Sequence, residues 1–195
     1  MKNIISFILE KLLPFNVYIM VGLPGSGKST WIKNNLSKDI EIINQDAIRV
    51  ELGIMDNVDD KKIGDKQQEK EVSKINDERV EKLIKDRKDF VIDNTNVKAG
   101  RVENYYNRLK KAGANVKIIL VDTDAKTCYD RRKKDIPENV INQMDLGVQK
   151  VKKQFKDNED LQIVHNKPVY EHSTALWNHQ SNHFYVPWYA GQGYL

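Results

Sequence analysis

One stretch of this chain constrains its fold more than any other: VYIMVGLPGSGKST, from Val17 to Thr30. An apolar run typical of a buried strand leads into the pattern G-x-x-x-x-G-K-[ST], formed by Gly22 to Ser29, and a helix is predicted to follow. Glycines allow consecutive backbone N–H groups to turn inward, and a helix directs the positive end of its dipole at the same point. The stretch therefore predicts a phosphate-binding loop between a strand and a helix, and a glycine-rich turn without a ligand is the alternative.

The side chains of this loop suit a nucleotide with its metal ion. Lys28 would neutralise charge on the β- and γ-phosphates, and the Ser29 hydroxyl would bind Mg²⁺. We therefore expect ATP or another nucleoside triphosphate as a donor and Mg²⁺ as a cofactor. The predicted nucleotide-binding residues are Gly22, Pro24, Gly25, Ser26, Gly27, Lys28, Ser29 and Thr30.

Short β-rich runs alternate with helical patterns along the chain. Five runs have the composition of strands: VYIMV (17–21), IEIIN (40–44), FVID (90–93), VKIILVD (116–122) and LQIVH (161–165). Two apolar stripes have helical spacing, one from Val72 to Ile84 and one from Val140 to Phe155. This alternation predicts an α/β fold of the P-loop NTPase type, in which helices flank both faces of a parallel sheet.

The chain has the length of one domain, since 195 residues can bury a substantial core. We expect this domain to cover residues 1–165, with an amphipathic helix at its N-terminus. From Asn166 the composition changes, and residues 166–195 are predicted to be an aromatic- and histidine-rich tail packed on the domain. The alternatives are a membrane-surface role for the first helix, and a base-stacking platform or a subunit contact for the tail.

Net charge and cysteine content exclude few classes of binding partner and few cellular locations. A net charge of +4 permits a polyanionic partner without requiring one. Cys128 is the only cysteine, so an internal disulfide is excluded and a reducing, cytoplasmic location is expected. No apolar stretch is long enough to span a bilayer, so a membrane partner is not expected.

A second motif, INQDAIRVEL, follows the second predicted strand. It places Asp46 just beyond the strand and Arg49 three residues later, on one face if a helix begins there. A carboxylate at this position could take the proton of an acceptor hydroxyl, and a guanidinium beside it could hold an anionic group of the acceptor. Asp46 as the N-cap of the helix is the alternative, and one residue can serve both purposes.

A third motif, FVIDNTN, ends the third predicted strand in polar residues. Asp93 is expected to reach Mg²⁺ through water, and Asn94, Thr95 and Asn96 are predicted to contact the acceptor or the γ-phosphate. The alternative is turn chemistry, because Asn, Asp and Thr side chains readily bond nearby backbone groups.

A fourth motif, YDRRKKDIPENV, carries four consecutive basic residues from Arg131 to Lys134. A solvated basic end of a helix is one interpretation of this run. The other is a lid whose arginines, Arg131 and Arg132, close over ATP.

These four motifs, in this order, resemble the kinase domain of 5′-polynucleotide kinases, the end-healing enzymes of phages and of animal DNA repair. The resemblance extends from Val17 to Phe155 and implies transfer of the γ-phosphate of ATP to 5′-hydroxyl ends of DNA or RNA. It implies that Asp46 is the general base and that Arg49 grips the 3′-phosphate of the acceptor. Arg131 matches the first lid arginine, and either Asp93 or Asn94 matches the carboxylate of the phage enzyme.

Three further expectations bound this interpretation. VDTDAK departs from the Asp-x-Asp-Gly-Thr motif of the phosphatase that many family members carry, so Asp122 and Asp124 are predicted to mark the end of a strand, and no 3′-phosphatase activity is expected. A kinase for a nucleoside, nucleotide or sugar is the alternative enzyme. A nucleotide-dependent binding module is the alternative outside enzymes, although a binding module needs no acceptor base such as Asp46.

Overall fold

The computed structural model describes residues 13–57, 64–133 and 135–166 of the chain. The predicted N-terminal helix, the predicted tail from residue 167 onward and Lys134 lie outside the described residues. Within the described part of the chain, no helix is both long enough and apolar enough to cross a membrane.

A parallel sheet with the strand order β2-β3-β1-β4-β5 organises the described residues. Its strands are β1 (Asn16–Val21), β2 (Glu41–Ile43), β3 (Phe90–Ile92), β4 (Asn115–Asp122) and β5 (Leu161–His165). The helices are α1 (Lys28–Asn35), α2 (Gln45–Glu51), α3 (Lys66–Asp86), α4 (Ala99–Lys111), α5 (Ala125–Arg132) and α6 (Glu138–Gln154). The predicted α/β class and all five predicted strands are confirmed, with ends that differ by one residue at most.

Alternation along β1 divides the apolar core between the two faces of the sheet. Val17, Ile19 and Val21 belong to a large cluster on one face, to which α4 and α6 also contribute. Met20 belongs to a smaller cluster on the other face, where Ile32 of α1 packs. Because successive side chains of a strand point to opposite faces, the apolar run of β1 can fill both layers.

Helix α2 packs on α3 through a separate cluster, which consists of Ile48, Ile54, Met55 and Val72. Helix α3 is secured at its start by a capping box, in which the Asp65 side chain accepts hydrogen bonds from the N–H groups of Gln67 and Gln68. This packing holds α2 at the edge of the sheet, just beyond β2.

The sequence analysis did not single out α4. Its sequence, AGRVENYYNRLKK, is mostly polar, and its buried residues Val102, Tyr105 and Leu109 are spaced by three and four. Three apolar residues at this spacing are enough to form one buried face of a helix.

The strand order brings the carboxyl ends of β1, β2 and β3 to one edge of the sheet. The loops that follow these strands carry the first three sequence motifs. An open parallel sheet places ligand sites at this edge, at the point where consecutive connections leave in opposite directions.

Candidate active site

The phosphate-binding loop is built mainly from backbone. Gly25 and Gly27 have φ values of +81° and +102°, which side chains rarely adopt. Gly27 is also the N-cap of α1, which has no side-chain cap and no acidic residue in its first turn. Among the described residues, no side-chain cap competes with an anion for the start of α1, where the sequence predicts phosphate binding.

Lys28 lies inside the mouth of this loop. Its Nζ donates to the carbonyl oxygens of Gly22 and Leu23, at 3.0 and 2.9 Å. Ser29 and Thr30 follow at the start of α1 and are exposed. A phosphate that enters the loop meets this ammonium group, and the carbonyl contacts hold the side chain in place beforehand.

Two residues that were not predicted from sequence hold the loop through hydrogen bonds to Ser26. The carbonyl oxygen of Ser26 accepts hydrogen bonds from Thr123 Oγ1 at 2.8 Å and from Asn166 Nδ2 at 3.0 Å. Thr123 follows β4 and Asn166 follows β5, so both neighbouring strand ends fix the same peptide group. No local motif marks either residue, because their role depends on strand order.

Helix α5 ends against the loop. Arg131 Nη1 donates to the carbonyl oxygen of Gly25 at 2.9 Å, and a Cβ atom on Gly25 would lie 2.9 Å from Arg132 Cγ. Arg132 forms an ion pair with Asp135, in which Nε lies 3.3 Å from Oδ2. Nε and Nη2 of Arg132 are nevertheless buried without a well-directed hydrogen bond to any described residue. Both predicted lid arginines therefore lie at the phosphate-binding loop, residues 22–30, which is the donor loop of the candidate site.

The second motif forms α2, as predicted, but Asp46 is not its cap. Asn44 is the N-cap, and its Oδ1 accepts from the N–H groups of Asp46 and Ala47 at 2.7 and 3.2 Å. Asp46 is the second residue of the helix, and its Oδ1 accepts from Arg49 Nη1 at 2.6 Å. The structure therefore places the Asp46 carboxylate beside Arg49, one turn along the same face.

Glu69 of α3 completes this group and was missed by the sequence analysis. Arg49 Nε and Nη2 donate to its two carboxylate oxygens at 2.9 and 2.7 Å. The hydrogen bond from Arg49 lowers the pKa of Glu69, and the bond to Glu69 raises the pKa of Arg49. Within the described part of the chain, these bonds and the one to Asp46 occupy three of the five N–H groups of the guanidinium.

The third motif follows β3 and lies between α2 and the donor loop. Asp93 is 8% exposed, and its N–H donates to Ile43 of β2 at 2.9 Å. Asn94 and Asn96 both use their side-chain amides in bonds to other parts of the protein. Their predicted contact with an acceptor stays a prediction, and so does that of Thr95.

The motif VDTDAK lies where the sequence analysis expected it, at the end of a strand. Asp122 is the last residue of β4, and Asp124 is the N-cap of α5, where its Oδ1 accepts from the N–H of Thr127 at 2.8 Å. Asp122 also accepts from Lys152 Nζ of α6 at 2.8 Å.

A family model for an AAA domain matches residues 17–150 of this chain. The chain belongs to this AAA domain family. No curated protein matches it significantly. The sheet, the loop and the helices have the arrangement of a P-loop kinase-like domain.

Solved structures share the fold of this AAA domain at low identity. A chain of the Pnkp1/Rnl/Hen1 RNA repair complex is 23% identical with a TM-score of 0.62, over 73% of this chain and 47% of that one. A chain of the PezAT toxin–antitoxin system of Streptococcus pneumoniae is 16% identical with a TM-score of 0.55, over 84% and 75%. A gluconokinase from Sinorhizobium meliloti is 15% identical with a TM-score of 0.47, over 80% and 85%.

The AAA domain thus spans about half the length of the RNA repair chain that it resembles. At these identities the likeness concerns the fold alone. The RNA repair chain and the PezAT chain share this fold, and a fold alone does not identify an acceptor.

The residues of this AAA domain fit a nucleoside triphosphate and its metal ion. The start of α1 has no side-chain cap, Lys28 adds a positive charge, and Arg132 has buried N–H groups nearby. Among the described residues no group of three or more His, Cys, Asp or Glu could hold a metal ion. Mg²⁺ in such a site takes few protein ligands, and the substrate phosphates and water supply the others, so Ser29 and Asp93 suffice as candidates.

A polar cleft of about 500 Å³ borders the donor loop. Thr123 and Asn166, which hold the Ser26 carbonyl, also line it, together with Asp122, Lys152 and His165. The cleft extends toward α6, which contributes Asp145, Gln149 and Lys152 to its lining.

Proposed function

We propose that this chain is an ATP-dependent 5′-hydroxyl polynucleotide kinase, which transfers the γ-phosphate of ATP to 5′-OH ends of DNA or RNA. The observation that carries the proposal is the group formed by Asp46, Arg49 and Glu69 on α2 and α3. It offers a carboxylate for the acceptor hydroxyl and, 2.6 Å away, a guanidinium for an anion.

On the donor side, the backbone N–H groups at the start of α1 and the Lys28 ammonium bind the β- and γ-phosphates. Ser29 and Asp93 would hold Mg²⁺, and this ion would neutralise charge on the phosphates. Arg131 and Arg132 approach the same phosphates from α5. The residues of the donor side therefore orient the γ-phosphate toward β3 and α2.

On the acceptor side, Asp46 takes the proton of the 5′-hydroxyl. The hydroxyl oxygen forms a bond to the γ-phosphorus, and the bond from that phosphorus to the β–γ bridging oxygen breaks, so that ADP leaves with the bond's electron pair. Arg49 orients the acceptor during this step. Glu69 holds Arg49 through Nε and Nη2, so the guanidinium does not have to be ordered when the acceptor arrives.

The distinguishing feature of a polynucleotide acceptor is a phosphate on the 3′ side of the nucleotide that bears the 5′-hydroxyl. A nucleoside has only a neutral hydroxyl at that position. A charge-assisted contact to Arg49 contributes about 1.5–3 kcal/mol, so a 3′-nucleotide should be used roughly ten- to a hundredfold better than its nucleoside.

A small-molecule kinase is the second candidate, and the charges around Arg49 favour it. One guanidinium lies between two carboxylates, so the three side chains together carry a net negative charge when the carboxylates are ionised. This balance reduces the attraction for a phosphorylated acceptor and is also compatible with a neutral hydroxyl acceptor, such as a nucleoside or sugar.

Phosphate transfer from labelled ATP to a 5′-hydroxyl oligonucleotide, a 3′-nucleotide and a nucleoside, at one fixed salt concentration, separates the candidates. Arg49→Ala should lower kcat/KM for the first two by roughly ten- to a hundredfold, with the nucleoside reaction and ATP binding nearly unchanged. Arg79→Ala is the matched control, because Arg79 of α3 pairs with Glu51 of α2 and is exposed. If the wild type prefers the nucleoside, or if Arg49→Ala affects both kinds of acceptor equally, the small-molecule kinase replaces the proposal.

A further inference from the structure

The residues after β3 are bonded to α2 on one side. The carbonyl oxygen of Asp93 accepts from Asn44 Nδ2 at 2.8 Å. Asn94 Oδ1 accepts from the backbone N–H of Gln45 at 2.9 Å. Asn44 is the N-cap of α2 and Gln45 is its first residue, so both bonds end at the start of the helix that carries Asp46.

The same segment is bonded to β1 and the donor loop on the other side. The carbonyl oxygen of Thr95 accepts from the N–H of Gly22 at 3.1 Å. Asn96 Nδ2 donates to the carbonyl oxygen of Met20 at 2.7 Å, and Asn96 is 6% exposed. Residues 93–96 therefore connect the donor loop to the acceptor helix by direct hydrogen bonds.

The side-chain amide of Asn94 is also bonded to α3. Its Nδ2 donates to Asn76 Oδ1 of α3 at 3.3 Å, and Asn76 is fully buried. Asn76 Nδ2 in turn donates to the Tyr105 hydroxyl of α4 at 2.9 Å. Both ends of the Asn94 amide are thus engaged with the protein, and α3 and α4 fix its orientation.

Helix α2 has only seven residues, so its own hydrogen bonds cannot fix its direction. The first three N–H groups of the helix are all taken by asparagine side chains, that of Gln45 by Asn94 and those of Asp46 and Ala47 by Asn44. The backbone of Asp46 is therefore placed by these two asparagines and by the packing of α2 on α3.

We propose that Asn94 is a positioning residue that aims Asp46 at the donor γ-phosphate by accepting the Gln45 N–H, and that it does not contact the acceptor. This inference rests on the proposed function for the role of Asp46, but not on the identity of the acceptor. It replaces the acceptor contact predicted for Asn94 from sequence.

The variant Asn94→Asp distinguishes positioning from acceptor contact. An aspartate keeps the oxygen that accepts the Gln45 N–H and adds a negative charge at a helix N-terminus, where such a charge is favourable. The Asn76 amide can turn over, so that its Nδ2 donates to the new carboxylate and its Oδ1 accepts from the Tyr105 hydroxyl, which then gives up its bond to Asp77 Oδ1. A residue that touches an anionic acceptor would instead repel it after this substitution.

We expect Asn94→Ala to lower kcat by about ten- to a hundredfold, because a small displacement of a catalytic base is enough for such a loss. KM for ATP and for the acceptor should stay within about twofold, and the loss should be equal for an oligonucleotide and a nucleoside. Asn94→Asp should recover kcat to within about threefold of the wild type. These steady-state measurements are made on the full chain.

Asn158→Ala is the matched control for a merely structural effect. Asn158 Oδ1 also accepts from a backbone N–H, that of Asp160 at 2.8 Å, but this bond lies next to the start of β5, at the opposite end of that strand from the donor loop. Asn158→Ala should lower the thermal unfolding temperature about as much as Asn94→Ala and leave kcat unchanged. Equal losses of kcat in the two variants would overturn the proposal.

Two other results would also overturn it. One is an Asn94→Asp variant as slow as Asn94→Ala, and the other is an increase in acceptor KM at constant kcat. If Asn94→Ala does not fold, Asn76→Ala removes the support of the Asn94 amide from within α3. That variant should lower kcat a fewfold at constant KM, and an unchanged kcat would contradict positioning.

The outcome for Asn94 is separable from the outcome for the proposed function. A wild type that phosphorylates only a nucleoside disproves the polynucleotide acceptor, and the Asn94 variants are then compared on that nucleoside. A wild type that prefers oligonucleotides, together with Asn94 variants that change only acceptor KM, keeps the proposed function and removes this inference.

Discussion

The donor loop and the acceptor group are built by different means. The donor loop takes its shape from nine consecutive residues, 22–30, and presents mainly backbone N–H groups to a phosphate. The acceptor group uses side chains from α2 and α3, and Arg49 and Glu69 are 20 positions apart. Asn94, which bonds to the start of α2, is 49 positions away from Gln45. A loop that binds a ligand through its backbone can therefore be encoded in one sequence motif. A group of side chains from two helices depends on the packing of the whole fold.

The largest effect is expected from Lys28→Ala, which tests the donor side. The ammonium group donates to two loop carbonyls, and Lys28 belongs to no apolar core cluster of the described residues, so its removal should abolish phosphate transfer and leave the fold intact. Transfer from labelled ATP and the far-UV circular dichroism spectrum check both parts. Lys33→Ala, at an exposed position of the same helix, is the control. Near-normal turnover of Lys28→Ala would remove the donor assignment.

The next effect in size is expected from Asp46→Asn, which tests the acceptor side. The substitution preserves the shape of the side chain and removes the base, so kcat should fall by about two to four decades while ATP binding is largely preserved. Turnover and ATP titration measure the two quantities. Asp86→Asn, exposed at the end of α3, is the control. An equal loss of ATP affinity would mean that Asp46 contributes to the donor site or to the fold. Donor and acceptor binding would then not depend on separate groups of residues.

The smallest effect is expected from Glu69→Gln, which tests whether Glu69 acts on the acceptor side alone. Glutamine keeps one acceptor oxygen and loses the negative charge, so one of the two bonds from Arg49 is lost, kcat/KM for an oligonucleotide should fall roughly fivefold, and ATP binding should not change. Glu71→Gln, on the same helix and more exposed, is the control. An effect on ATP binding alone would contradict the assignment of Glu69 to the acceptor side.

The pH dependence of stability tests the same residue independently. Because Arg49 lowers the pKa of Glu69 below 4.5, the ion pair stabilises the folded state above that pH and loses its effect as the pH falls through the folded pKa. The difference in urea midpoint between wild type and Glu69→Gln should therefore be constant near neutral pH and shrink below about pH 4.5. A difference that grows on acidification would show that the pair does not hold in solution.

The fold was largely predictable, and the candidate site only in part. Five strands followed from composition and alternation, because buried parallel strands are short apolar runs between turns. Helix α4 was not predicted, although its buried residues Val102, Tyr105 and Leu109 have helical spacing. Asp46 was correctly placed beside Arg49, but the cap of the helix proved to be Asn44, which the motif alone did not distinguish from Asp46.

The sequence by itself determined the donor loop, since glycines with positive φ, a lysine and a helix start act over a few consecutive residues. Only the tertiary structure decided which residues surround Arg49 and which hold Ser26. Glu69, Thr123 and Asn166 lie in ordinary-looking segments, and no local pattern gives them a role. Their partners become neighbours through strand order and helix packing, because hydrogen bonds and ion pairs depend on distance in space and not on separation along the chain.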